Sequence, residues 1–406
     1  MRPIARSLLI VFAFAVPWEF SLEVGEPFGP VARIVGVLLL LAAVPAVLQA
    51  GRMRRPGPMQ WLVLALFLWF CCSYFWTIDQ AATLEKLRAY FQEMMAVWLV
   101  WEFAESPRDL RWLLRAYVAG SWVLAAVTLA SFASPGTIGA GQIRFFAEGL
   151  DPNDTARFLD LGFPLAALLV DGESRWPGRL LTWGYLPLGI LAVLLTASRG
   201  GVAAAAVAVA GSAILLAWGH PRRVVAGAIA VPALAAAVWL IVPQETLERI
   251  ATISEQLAGG DLNERVNIWA QGWQAFTRAP LTGTGAGTFV SASGLAPIDT
   301  AHNTGLSIAV GGGICGLLLA AVVLALGVRA VLALRGPLRL AMATALAVWM
   351  LTSLTAAVEE NRTTWLLFAL IALAGRLEGD DPDGLDACFP AAALHLPLAL
   401  FREPLQ

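Results

Sequence analysis

The chain has 406 residues, of which 58% are hydrophobic and only 14% charged, with a mean hydropathy of +0.71. Soluble domains carry about 25% charged residues, so a fold bathed in water on every side is excluded and lipid must act as solvent. The formal net charge of -2 gives no electrostatic argument for nucleic acid as a partner.

In chain order, the N-terminus "MRPIARSLLIVFAFAVPW" has a basic start, a short apolar core and Ala13-Phe14-Ala15, the outline of a signal peptide. Because many apolar segments follow, it is expected to be a first transmembrane helix retained in the chain. Apolar stretches then recur between short polar breaks. They predict helices near 7–22, 31–49, 60–76, 89–104, 113–131, 156–170, 180–197, 200–218, 224–243, 303–325, 338–358 and 363–375. The expected fold class is therefore an all-α polytopic membrane protein of about 12 transmembrane helices. Residues 1–376 form a single bundle, and 377–406 a cytoplasmic or interfacial tail.

Arginine orients that bundle. "GRMRRPG", "ESPRDLR", "ESRWPGR", "HPRR" and the stretch 329–339 occupy alternate breaks, on the side of Arg2 and Arg6. The positive-inside rule makes this side the cytoplasm. The opposite side carries two long loops, about 132–155 and 244–302, the larger between the ninth and tenth expected helices. Loops this long are commonly functional or disordered. Within the larger one, Trp269, Trp273 and Phe276 fall at helical spacing. That predicts an amphipathic helix against the bilayer or over the bundle, and a simple lid on the outer face fits equally well. The tail, with acidic "EGDDPDGLD" and the short, proline-broken "FPAAALHLPLALF", suggests no function.

Few residues could carry chemistry. His220 lies in a cytoplasmic turn and His395 in the tail, which leaves His302 as the one imidazole expected on the outer side. Imidazole is well suited to accept and return a proton near neutral pH, although a lone histidine at a helix end is commonly a cap or anchor. No second histidine or cysteine lies near it in sequence, so neither a metal nor a cofactor is expected. Cys71, Cys72, Cys315 and Cys388 have no ligand-like spacing and read as small apolar fillers.

Arg199, in "LLTASRGGVAAAA", sits between two apolar runs. Charge at membrane depth usually marks function. Snorkelling at a helix end is the plain alternative, but the turn is on the outer side, where positive-inside bias offers no reason for an arginine. Gly200 and Gly201 would let backbone or ligand approach. Arg265 lies one helical turn before Trp269; alone, it reads as a solvated loop charge. Arg144, Arg157, Arg249, Arg278 and Arg362 are secondary outward candidates. Two converging guanidiniums would suit a diphosphate, whose oxygens they bind bidentately.

Three further stretches have structural readings. "PLTGTGAGTF" (280–289) lacks the Lys-Ser/Thr of a phosphate loop and is expected to be a tight turn bringing backbone close to the bundle. "GLDPNDTA" (149–156) reads as a turn followed by a helix capped by Asn153 or Asp154. Glu359, Glu360 and Arg362 read as an ion-paired rim.

Taken in order, Ser-Arg-Gly-Gly, a large outer loop with Arg and Trp, the glycine-rich turn and Ala-His-Asn resemble the O-antigen ligase and polysaccharide polymerase superfamily. His302-Asn303, nine residues, Gly313, two residues and Gly316 match the ligase signature in full. The resemblance spans residues 140 to 375, approximately. It implies metal-independent, inverting glycosyl transfer at the periplasmic face of a bacterial inner membrane. The donor would be a glycan on undecaprenyl diphosphate, the acceptor a hydroxyl of lipid A-core or of a growing glycan, with membrane lipids around both. By the same resemblance His302 is the general base, and Arg199 and Arg265 hold the donor diphosphate. Asn303, Arg144, Arg362 and Glu359 are supporting candidates. A polymerase of the same superfamily is the alternative. A lipid-linked sugar flippase or transporter is the reading from a different class, and would call for broken helices near the midplane and internal repeats. No repeat is visible, and the candidate polar residues collect on the outer side.

Overall fold

The computed structural model describes residues 1–21, 29–134, 144–218, 220–252, 265–296 and 299–390. His395, and parts of both outer loops, lie outside them. Every described element is helical, with no strand among them. In chain order these are α1 (Arg2–Ala15), α2 (Val31–Ala50), α3 (Pro58–Ser73), α4 (Gln80–Phe103), α5 (Pro107–Ala133) and α6 (Pro152–Leu169). Then follow α7 (Trp176–Leu195, with a π-helical turn at Leu180–Gly184), α8 (Arg199–Ala217) and α9 (Pro221–Ile241). The segment between α9 and the next long helix holds α10 (Gln244–Ala251), α11 (Arg265–Arg278) and α12 (Phe289–Ser293). The chain continues through α13 (Thr304–Ala333), α14 (Gly336–Ser353), α15 (Arg362–Asp380) and α16 (Pro382–Cys388).

Each predicted apolar segment is occupied by helix. Among the described residues, six helices are long and apolar enough to cross a membrane: α2, α5, α7, α8, α9 and α13. The largest boundary shift is in α4, which starts at Gln80 rather than near 89. Asp79 caps it by accepting from Ala82 N at 3.0 Å, and charged residues in the first turns (Glu85, Lys86, Arg88) hide the helix from a hydropathy reading. At α6 the cap is Asp151, not Asn153 or Asp154. Its carboxylate accepts from both of their backbone amides, at 2.6 and 2.8 Å, because Pro152 occupies the first helical position and has no N–H of its own.

Two helices form the centre. Nearly all of α6 is buried, packed between α5, α7, α8 and α14, and α15 is buried likewise against α4 and α13. A helix apolar all round is a core helix. By contrast α9 buries none of its residues and packs mainly along α8, with Arg223 reaching Asp171 and the Trp183 ring of α7.

The expected tenth helix is present but broken. In α13, Gly313 takes φ 62 and ψ -165, a conformation open essentially only to glycine. The glycine-rich turn 280–288 doubles back into the gap. Ile314 N donates to Pro280 O at 2.8 Å, Thr284 N to Val310 O at 2.8 Å, and Gly285 N to Gly311 O at 3.0 Å. Trp69 Nε1 of α3 donates to Gly312 O at 2.8 Å, and Ser73 Oγ accepts from Ala286 N at 3.0 Å. Irregular backbone at such depth survives only where protein satisfies its polar groups, and here the freed groups are paired. Trp69→Phe, which leaves Gly312 O unpaired, is expected to cost about 1–3 kcal/mol, read as a lower melting temperature in detergent.

Candidate active site

Two tight turns build the site, and both are strained. Among the described residues, Ala197 (φ 48) and His302 (φ 45) are the non-glycine positions in left-handed backbone. Such conformations cost about 1–3 kcal/mol and cluster at functional sites. Asn303 explains the second turn. Its Oδ1 caps α13 by accepting from Leu306 N at 2.8 Å, and its Nδ2 donates to Leu354 O at 3.3 Å. This capping fixes where α13 begins and leaves His302 just outside the helix. His302 Nδ1 lies 3.3 Å from Thr300 Oγ1.

The first turn leads into α8. Ser198 caps it by accepting from Gly201 N at 3.1 Å and donates its hydroxyl to Asn153 Oδ1 at 2.7 Å. Gly201 permits the close crossing with α6, since a Cβ there would lie 2.3 Å from that of Ala156. Arg199 Nε donates to Arg249 O at 3.1 Å, and Arg249 Nε returns a bond to Ala197 O at 3.3 Å. Arg144 Nε donates to Thr196 O at 3.1 Å, and its Nη2 to Asn153 Oδ1 at 3.3 Å.

Arg144, Arg199, Arg249 and Arg265 thus share one electrostatic neighbourhood. Arg144 is pushed down to about 10, first by burial and then by Arg249, with Arg265 and Arg199 adding and Asp151 opposing. Burial and Arg199 lower Arg249. Burial also lowers Arg265, against the pull of Asp151. His302 lies below its ordinary value because of burial and Arg265, with Asp151 and Asp299 opposing. Crowded, part-buried guanidiniums favour an anion among them. Beside them, His302 lines a cavity of about 280 Å³ with Asp151, Asn153, Asp154, Thr300 and Glu360.

The structure places Arg199, Arg249 and Arg265 in the electrostatic neighbourhood of Arg144, and Arg265 also in that of His302. Asp151 and Asn153 organise this cluster, although in sequence they read as part of a capping turn. Other candidates lie elsewhere. Arg362 is buried in an ion pair with Glu19 and donates from Nη2 to Gln92 Oε1 at 3.0 Å. Arg157 pairs with Asp154 at 2.6 Å, and Arg278 Nη1 donates to Ala292 O at 3.4 Å. Glu359 lines a small apolar gap of about 40 Å³ with Tyr90, Met94 and Trp349, below the histidine cavity. Burial and Glu360 raise it to about 7. On α11, Ile268 and Ala275 are buried, Trp269 Nε1 donates to Ala301 O at 3.1 Å, and Trp273 stays exposed. That helix is anchored directly to the turn carrying His302.

Residues 185–321 match the family model described as O-antigen ligase. The match supports the O-antigen ligase superfamily, and the matched segment contains Arg199, Arg249, Arg265 and His302. No curated protein matches the chain. The family suggests glycan transfer of the ligase or polymerase type on lipid-linked glycan and polysaccharide substrates. With the apolar helices, it suggests a bacterial membrane protein.

Proposed function

We propose that this protein transfers a glycan from undecaprenyl diphosphate to a hydroxyl of lipid A-core, with inversion, at the periplasmic face of the inner membrane. The observation that supports the reading is the clustering of Arg199, Arg249 and Arg265 around Arg144, with Arg265 also acting on His302. As the bond between the anomeric carbon and the diphosphate oxygen breaks, its electron pair stays on that oxygen. Fixed guanidiniums, Arg199 and Arg265 foremost, stabilise the growing charge without reorganising. His302 takes the proton of the acceptor hydroxyl as its oxygen bonds to the anomeric carbon. Thr300 contacts Nδ1, which leaves Nε2 for that proton. The arginines supply the charge neutralisation that a divalent cation provides elsewhere, so the reaction is proposed to need no metal.

The break in α13 is a feature a transporter reading would claim. Its backbone groups are paired with the chain's own glycine-rich turn, which accounts for the break without a transported ligand.

The test gives purified protein an undecaprenyl-diphosphate glycan with and without lipid A-core, in EDTA. Glycan is expected on lipid A-core. Lengthening of the lipid-linked glycan without added acceptor would instead assign a polymerase, and activity that EDTA abolishes and divalent cation restores would remove the arginines from their role. Absence of transfer in both tubes overturns the reading.

A further inference from the structure

A second chamber adjoins the histidine cavity, and the chemistry above leaves it unused. It measures about 190 Å³ and shares Thr300, Ala357 and Glu360 with the first. Its far wall is α4, with Lys86 and Tyr90, and its other walls are the glycine-rich turn and the start of α12, with Phe289 and Val290. Lys86 Nζ lies 2.5 Å from Glu360 Oε1 and 5.8 Å from the Tyr90 ring centroid. Asp299 and Ser307 add a carboxylate and a hydroxyl.

The position of this chamber is informative. The four arginines hang on the turns entering α6 and α8 and on α10 and α11, whereas the chamber is lined by α4, α12 and α13. His302 and Glu360 line the cavity that adjoins this chamber, Glu360 lining both. Inversion requires the attacking oxygen to approach opposite the leaving group. If the arginines hold the leaving diphosphate, the attacking sugar must come from the side of Lys86 and Glu360.

The charges agree. One ammonium and two carboxylates make this compartment weakly acidic, the reverse of the arginine cluster, so a phosphate is disfavoured there. Aromatic walls with a few placed donors and acceptors are the lining expected for a small polar ligand. We infer that the chamber bounded by Lys86, Tyr90, Val290, Glu360 and Ser307 binds the acceptor sugar, an uncharged or amino sugar held by the Lys86–Glu360 pair against the aromatic walls. This rests on the function proposed above and assigns it an acceptor subsite.

Val290→Trp fills the chamber from α12, and Lys86→Gln removes its cation from the opposite wall. Initial rates are measured by varying the undecaprenyl-diphosphate glycan and, separately, whichever acceptor the wild type uses, lipid A-core or the lipid-linked glycan itself. Melting temperature in detergent is recorded for each variant, and Lys86→Gln decides if Val290→Trp does not fold. The expected result is an acceptor KM raised at least tenfold with the donor KM within twofold of wild type. A merely structural defect would move both constants and the melting temperature together, and would count against the subsite. Unchanged constants in a folded variant, or a rise in donor KM alone, would overturn the assignment while leaving glycan transfer intact. A wild type that transfers to neither acceptor removes the proposed function, and this subsite with it.

Discussion

His302→Asn is expected to lower kcat by about 10²–10⁴-fold while the melting temperature stays close to wild type. Asparagine is the informative replacement because position 302 sits at φ 45, and asparagine tolerates left-handed backbone where alanine does not. It cannot act as a base near neutral pH. The rate should also carry the signature of the imidazole in its pH dependence. Burial and Arg265 hold His302 below its ordinary value of 6.5, so the free base is the form present at neutral pH. Activity should therefore be flat through neutrality and fall only as pH drops through this lowered value. Arg265→Gln removes a positive neighbour, raises the histidine's affinity for a proton and should move that acid limb to higher pH. A histidine serving only as an anchor would leave the pH profile of Arg265→Gln unshifted and His302→Asn active.

Gly313→Ala is expected to be severely destabilising for a single added methyl. Its backbone conformation alone costs about 1–3 kcal/mol for a residue with a side chain. The added Cβ would also lie 2.3 Å from Leu281 O and 2.6 Å from Gly283 N. Because these are backbone atoms of the inserted turn, no rotamer relieves the contact. The glycine turn must withdraw, and the hydrogen bonds it gives to α13 go with it. A large fall in melting temperature and loss of transfer should therefore appear together. Gly379→Ala in α15, with nothing within 4 Å of its added Cβ, is the control expected to be close to neutral.

Hydropathy alone located the helices well, because long apolar runs have few alternatives in lipid. It failed where charge and backbone chemistry intrude. The early turns of α4 are charged and so escaped notice, yet Lys86 there lines the chamber beside the histidine cavity. The interruption of α13 was not legible either, since Val310 to Leu317 is an unbroken small and apolar run. Gly313 of the family signature turns out to be a backbone requirement of that break. For the site, Arg199, Arg265 and His302 stood out by being polar in unexpected places. Arg249 and Arg144 stood out less, as two of several outward arginines, because each looks like an ordinary loop charge until the fold brings it against Ala197 or Thr196. Asp151 and Asn153 were hidden by their resemblance to a simple cap, a role that Asp151 does fill.

The broken helix also implies an order of assembly during synthesis. Thr284 and Val310 are only 26 positions apart, so the turn and the gap it fills leave the ribosome almost together and can close as a local hairpin, which is fast. Trp69 and Ser73, which complete the seal, lie 243 and 213 positions upstream of their partners. They must already be in the membrane as a waiting half-socket, and the upstream helices would hold that shape before the nascent hairpin arrives. A chain halted shortly after residue 290 should accordingly leave Ser73 and Trp69 accessible to water-soluble reagents, and one halted past 330 should protect them.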